Sequence, residues 1–285
     1  MMQKLKDIVI RALTGAIFVS CIVGSVLLGA YTFFAVFTLI ALGAICEYCR
    51  LVNKKETCVS FGFSLVGALL LNGSMLTIVE QMEIAPVLVA AYVLFILVMF
   101  ARELFLPESK VGQIRHFLLG QIAVVFPLAL LLKTAYAFNG TFSKELLLFL
   151  LAIIWINDTF AYLTGIFLGR HRMAERISPK KSWEGFVGGL IFSIGLCVAA
   201  SVYLKVYLPF FETYPWYVWA LMVLVVIVFG TMGDFLESLF KRKVGVKDSG
   251  RILPGHGGLL DRFDSLLMAS PALFVFVEFV NYFLK

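Results

Sequence analysis

The residues best suited to chemistry lie in one polar segment near the C-terminal end of the chain, residues 238–264. This polar segment holds six Lys or Arg, three Asp and five Gly, and long apolar runs flank it on both sides. Cationic side chains and the backbone N–H groups that Gly leaves accessible bind phosphate, and neighbouring carboxylates bind the divalent metal that accompanies a polyphosphate. The pattern therefore indicates a site for a nucleotide polyphosphate and its metal. The simpler alternative is a positively charged loop that only fixes membrane topology.

Three carboxylates lie on the two helices that flank the centre of this segment. Asp234 lies on a polar helical face before it, and Asp261 and Asp264 lie one turn apart after it. If the two helix ends meet, the carboxylates converge, and such a cluster is unfavourable without a cation. Hard oxygen ligands with room for water and phosphate oxygens select Mg²⁺. The alternative is that each carboxylate pairs with a nearby cation such as Arg242 or Arg262.

Two further polar positions interrupt the apolar sequence. Asp158 lies well inside an apolar run, where a carboxylate is costly and usually has a functional partner, although it could also be a structural hydrogen-bond acceptor between helices. Ser178 and the following Pro are typical of a helix start, which would place Lys180 and Lys181 beside free backbone N–H groups. Such a helix start is an anion site. The alternative is that both lysines only extend towards the membrane surface.

The composition predicts the elements that position these residues. The chain has 285 residues, of which 61% are hydrophobic and 15% charged, and its mean hydropathy is +0.96. So much apolar sequence exceeds what a soluble core could bury, so we expect a polytopic membrane protein. Backbone groups in lipid need internal partners, and the sequence lacks the alternating ten-residue pattern of a β-barrel, so we expect the fold class all-α. About nine transmembrane helices are expected, near residues 8–28, 31–49, 60–79, 85–106, 117–137, 144–168, 186–208, 216–240 and 259–284.

The distribution of Lys and Arg between the two sides predicts the orientation of these helices in the membrane. Twenty Lys and Arg fall on one side of the nine spans and four on the other. The positive-inside rule then puts the N-terminus in the cytoplasm and the C-terminus outside, in a multi-pass protein of the cell (inner) membrane. The net charge of +6 does not indicate nucleic acid, because the basic clusters lack interleaved aromatic residues. We expect N-terminal transmembrane helices over 1–137 and a catalytic region over 138–285, with cytoplasmic loops at 169–185 and 241–258.

The polar segment resembles the signature of the phosphatidate cytidylyltransferase (CDP-diacylglycerol synthase) family. The resemblance continues at Asn157-Asp158-Thr-x-Ala-Tyr162 and at Ser178-Pro-Lys-Lys-Ser-Trp-Glu184, so it covers the C-terminal half. The N-terminal half is similar only as a set of hydrophobic helices. The positions that match in the polar segment are Ser238, Lys241, Arg242, Lys247, Asp248, Pro254, His256, Gly257, Gly258, Asp261, Arg262 and Asp264.

The resemblance implies a reaction in which CTP and phosphatidate give CDP-diacylglycerol and pyrophosphate at the cytoplasmic membrane surface. It implies Mg²⁺ held by Asp234 and Asp261, and it suggests a second, monovalent cation and a homodimer. The catalytic residues that it implies are Asp234, Asp261, Asp264, Lys241 and Arg242. The substrate-binding residues that it implies are Asp158, Ser178, Lys180, Lys181, Lys247, Asp248, His256, Gly257, Gly258 and Arg262.

Two other functions use similar residues. A CTP-dependent lipid-alcohol kinase needs the same metal and nucleotide site, and it differs in releasing CDP rather than pyrophosphate. A cation-coupled transporter also places carboxylates inside helices, but it has no need for a loop rich in Lys, Arg and Gly. The identity of the product separates these alternatives.

Overall fold

The computed structural model describes residues 2–53, 60–105, 112–138, 140–255 and 257–284. The helices are α1 (Met2–Leu28), α2 (Ala30–Asn53), α3 (Phe61–Val79), α4 (Ala85–Phe105), α5 (Gly112–Gly120), α6 (Phe126–Ala135), α7 (Lys144–Leu168), α8 (Trp183–Tyr203), α9 (Trp216–Val244) and α10 (Leu260–Leu284). A π-helical turn at Gln121–Val125 joins α5 to α6, and a 3₁₀ turn lies at Pro209–Glu212. Two short antiparallel strands, β1 (Arg172–Ala174) and β2 (Ser178–Ser182), form a hairpin between α7 and α8.

Nine helical segments within these described ranges are long and apolar enough to cross a membrane. Eight are single helices, and the ninth combines α5, the π-helical turn and α6. The structure thus confirms the prediction of an all-α polytopic membrane protein. The observed ends follow local capping: Ser143 Oγ accepts a hydrogen bond from the Leu146 N–H at the start of α7, and Gly245 ends α9 with a φ of 79°.

The helices that carry the predicted site pack against one another. The most extensive packing joins α7 to α8 and α9 to α10, and α10 also packs on α6. Gly233 allows the close approach of α9 to α10, because a Cβ atom there would overlap the backbone oxygen of Asp264. Near the start of α9, fully buried Trp219 lies in an aromatic cluster with Phe149 and Phe211. These contacts fix α7, α9 and α10 relative to one another.

One local prediction was wrong. Ser178 does not open a helix: residues 178–182 form strand β2, and α8 begins at Trp183. Ser182 has extended backbone and is the N-cap, since its Oγ accepts a hydrogen bond from the Gly185 N–H at 3.1 Å. The Trp183 N–H donates to the His171 carbonyl at 2.9 Å, which ties the hairpin to the start of α8. Lys180 and Lys181 therefore lie on a strand and not at a helix N-terminus.

Candidate active site

A cavity of about 860 Å³ lies between α1, α7, the β1–β2 hairpin, α9 and α10. Apolar side chains, among them Phe18 and Ile22 of α1, form part of its wall. The cavity thus combines charged groups with an apolar surface, as a site for an amphipathic substrate requires. Its charged lining residues are Asp158, Arg172, Lys180, Lys181, Asp234, Asp261, Arg262 and Asp264.

Asp234 and Lys181, two of these lining residues, form an ion pair. Asp234 also accepts a hydrogen bond from Ser238 Oγ at 3.3 Å, which orients it along α9. Asp158 and Asp264 lie close enough to interact electrostatically with both Asp234 and Lys181. Carboxylates from three helices therefore interact with one ammonium group and with one another, and a second cation at this point would relieve their mutual repulsion.

Asp261 is held by a different set of partners. Its Oδ1 accepts a hydrogen bond from Lys241 Nζ at 2.7 Å, and its Oδ2 accepts from the backbone N–H groups of Ser249 at 2.8 Å and Gly258 at 2.9 Å. Lys241 also pairs with Glu237 at 2.5 Å. The side chains of Glu237 and Asp261 are only 2% and 9% exposed, so one lysine compensates two buried carboxylates.

Several predicted site residues lie outside the cavity lining. Lys241 and Gly258 each donate a hydrogen bond to Asp261. His256 falls outside the described residues. Ser178 is at the start of β2, and Gly257 precedes Gly258 in the chain. Three further predicted residues have exposed side chains at the end of α9 or just beyond it: Arg242, Lys247 and Asp248. The structure therefore separates those predicted residues that it describes into a cavity set and a peripheral set.

The carboxylates suit a metal that arrives with a nucleotide. Within the part of the chain that the structure describes, no three His, Cys, Asp or Glu side chains form a group that could hold a metal ion by themselves. Asp234 and Asp261 nevertheless line one cavity. Mg²⁺ in proteins is commonly bound by one or two carboxylates, with water and substrate phosphates completing its coordination. These two residues fit that arrangement, and their role as metal ligands stays a prediction.

Sequence reasoning missed three residues of this region. Arg172 of the hairpin lines the cavity. Glu47 of α2 is fully buried and accepts a hydrogen bond from the hydroxyl of Ser249 at 2.9 Å. The signal for Glu47 was available, because it is an acid inside an apolar run, as Asp158 is. The signal for Ser249 was absent, because its importance comes from contacts with residues distant in the sequence.

Comparisons with known proteins agree with this geometry. The sequence pattern of the family described as "Cytidylyltransferase family" matches residues 9–280 of the chain. A phosphatidate cytidylyltransferase of Staphylococcus haemolyticus is 44% identical over 129 residues, which are 45% of this chain and 46% of that protein. Proteins of the same name from Staphylococcus saprophyticus and Staphylococcus aureus (strain COL) are 44% and 46% identical, with the same coverage. The chain thus spans about half the length of the curated relatives that it matches.

Proposed function

Because the chain belongs to the cytidylyltransferase family, we propose that it transfers the cytidylyl group of CTP to phosphatidate, giving CDP-diacylglycerol and pyrophosphate. The observation that carries this proposal is that four Asp and four Lys or Arg side chains line one cavity together with apolar side chains, among helices long enough to span a membrane. A lipid phosphate has this combination of an apolar body and an anionic head. The names of the staphylococcal relatives support the same reaction.

The reaction makes charge, rather than proton transfer, the main problem for the protein. A phosphate oxygen of phosphatidate attacks the α-phosphorus of CTP, and the bond from that phosphorus to the bridging oxygen of the β-phosphate breaks, so that pyrophosphate leaves. Two anions must therefore meet in one cavity. Mg²⁺ held by Asp234 and Asp261 would neutralise phosphate charge and stabilise the departing pyrophosphate.

The cationic side chains of the cavity contribute the rest of this neutralisation. Lys180, Lys181 and Arg262 line it, and Arg172 donates a hydrogen bond to the Lys180 carbonyl at 3.3 Å. Lys181 pairs with Asp234, so its ammonium group can exchange a carboxylate for a phosphate when the nucleotide binds. Preorganised cations of this kind stabilise charge that develops in a transition state.

The test is the Mg²⁺ dependence of purified variants in detergent. Asp234→Asn and Asp261→Asn should each remove most of the incorporation of CTP label into lipid, and the double variant should lose little more, since residues that hold one ion act as a unit. Glu278→Gln is the matched control, because this carboxylate lies on α10 but does not line the cavity. Additive losses with an unchanged Mg²⁺ requirement would contradict a shared ion.

The proposal includes a location and an assembly. We place the cavity on the cytoplasmic side of the cell membrane, where CTP is available, with the N-terminus on the same side. The charge bias of the connecting segments supports this orientation. A monovalent cation beside the Mg²⁺ and a homodimer rest on the family resemblance.

A further inference from the structure

A buried carboxylate from the N-terminal half of the chain holds the polar segment. Glu47 on α2 is 0% exposed. Its Oε2 accepts hydrogen bonds from Ser249 Oγ at 2.9 Å and from the Leu260 N–H at 3.0 Å, and its Oε1 accepts from the Leu259 N–H at 3.0 Å. All three donors belong to the polar segment, and more than 200 residues separate each of them from Glu47 in the sequence.

The backbone around Glu47 is shaped to admit its carboxylate. A Cβ atom at Gly258 would overlap both the Glu47 carboxylate and Ser249 Oγ. A Cβ atom at Gly250 would overlap the same carboxylate. Glycine at these two positions therefore lets the chain pass directly over Glu47. An acid that merely tolerated burial would not need this close approach from both ends of the loop.

The contacts of Glu47 and Asp261 share the same short stretches of chain. Ser249 donates its hydroxyl to Glu47 and its backbone N–H to Asp261. Gly258 donates its N–H to Asp261, and the next residue, Leu259, donates its N–H to Glu47. The two carboxylates thus hold the same two stretches of the loop, at Ser249 and at Gly258–Leu259.

We propose that Glu47 is a positioning residue: it fixes the loop so that the Ser249 and Gly258 N–H groups hold the Asp261 carboxylate towards the cavity. This inference rests on the proposed function, in which Asp261 binds the Mg²⁺ of the reaction. Groups that orient a metal ligand typically affect metal affinity or activity by about 10- to 100-fold when they are removed.

The chemistry of the contacts requires a carboxylate. Three donors meet two oxygens, and glutamine would replace one oxygen with an NH₂ group that can only donate. Glu47→Gln therefore loses at least one hydrogen bond and brings two donors together. The negative charge also lies at the N-terminus of α10, where the helix dipole favours an anion. Glu47→Gln keeps the size of the side chain and removes both effects.

The first measurement is hydrogen exchange of the backbone amides in detergent without Mg²⁺. We expect faster exchange of at least one of the Leu259 and Leu260 amides in Glu47→Gln than in the wild type, because one carboxylate oxygen that accepts from them is replaced by an NH₂ group. Ser249→Ala, which keeps the carboxylate, is expected to leave these two amides protected. Unchanged exchange of both amides in folded Glu47→Gln would overturn the proposal independently of any activity.

The second measurement is the Mg²⁺ concentration that gives half-maximal rate. We expect it to rise by about 10-fold or more in Glu47→Gln, and by a smaller factor in Ser249→Ala. Gln121→Leu is the control: Gln121 is buried in the same half of the chain and donates to the Ser64 carbonyl of α3 at 3.0 Å, so this hydrogen bond does not involve the polar segment. It should lower thermal stability and leave the Mg²⁺ requirement unchanged.

The outcomes separate this inference from the proposed function. A folded wild type without Mg²⁺-dependent transfer would overturn both. An active wild type, with an Mg²⁺ requirement that stays the same in Glu47→Gln and Ser249→Ala, would overturn only the positioning role. If Glu47→Gln does not fold, Ser249→Ala decides, since it removes a single hydrogen bond and keeps both carboxylates. An equal shift in Gln121→Leu would also contradict the proposal, because the effect would then be general destabilisation.

Discussion

Replacing Lys241 by methionine should destabilise the protein strongly. Lys241 compensates the side chains of Glu237 and Asp261, which are 2% and 9% exposed. Removing one member of a buried ion pair costs about 3–5 kcal/mol, because the partner is left uncompensated. Asp261 keeps its hydrogen bonds from the Ser249 and Gly258 N–H groups, so we expect a loss of about 3 kcal/mol in the free energy of unfolding, at the low end of that range.

The assay is reversible unfolding by SDS in mixed micelles for the wild type, Lys241→Met, Glu237→Gln and the double variant. Glu237→Gln removes one of the two uncompensated charges, so the double variant should be more stable than Lys241→Met. The coupling energy should exceed about 1 kcal/mol, within the range known for residues in one ion-pair network. Arg242→Met, at the exposed neighbouring position, should change stability by no more than about 0.5 kcal/mol. A loss below about 1 kcal/mol in Lys241→Met, with no coupling to Glu237, would refute the shared-lysine account.

Three further predictions follow from the same structure. Lys247→Ala should raise the KM for CTP and leave the half-saturating Mg²⁺ concentration unchanged, because Lys247 is exposed and contributes only a charge; a changed Mg²⁺ requirement would contradict this. Gly233→Ala should lower thermal stability and activity, because the added Cβ would overlap the Asp264 backbone. Gly195→Ala is the control: its Cβ would enter open space, so it should be neutral or stabilising by up to about 1 kcal/mol. Equal effects of the two changes on stability would count against close packing of α9 on α10. A reporter enzyme fused after Lys285 should be active only if it is of a kind that works outside the cell. Activity of a cytoplasmic reporter at this position would mean that the number of membrane crossings is miscounted by one.

The helical fold was predictable because the bilayer imposes simple rules. A span needs about 20 apolar residues, and the nine segments found in the described ranges correspond to the nine apolar runs of the sequence. The hairpin before α8 was not predictable in this way. A Ser followed by Pro suits the start of a helix, but the decisive cap is Ser182, whose extended backbone continues strand β2. Local signals identified a boundary there and placed it four residues too early.

The candidate site, like the fold, was predictable from the sequence only in part. Asp158 and Asp234 stand out as acids in apolar runs, and Asp261 and Asp264 stand out as acids of the polar segment. The structure places all four on one cavity. The pairing of Glu47 with Ser249 joins residues 202 positions apart, and nothing in a single sequence indicates such a contact. It results from the packing of α2 near the start of α10, which depends on the shapes of many apolar side chains.

The central claim is that CTP gives its cytidylyl group to a lipid phosphate, and the most direct measurement follows both ends of CTP. Purified protein in detergent is supplied with phosphatidate, Mg²⁺ and CTP that carries one isotope at the α-phosphorus and another at the γ-phosphorus. We expect the α label to appear in CDP-diacylglycerol and the γ label in pyrophosphate. After Mg²⁺ is chelated, we expect neither product to form. If a diacylglycerol acceptor instead takes up the γ label while the α label stays in CDP, the protein is a lipid kinase and the account is wrong.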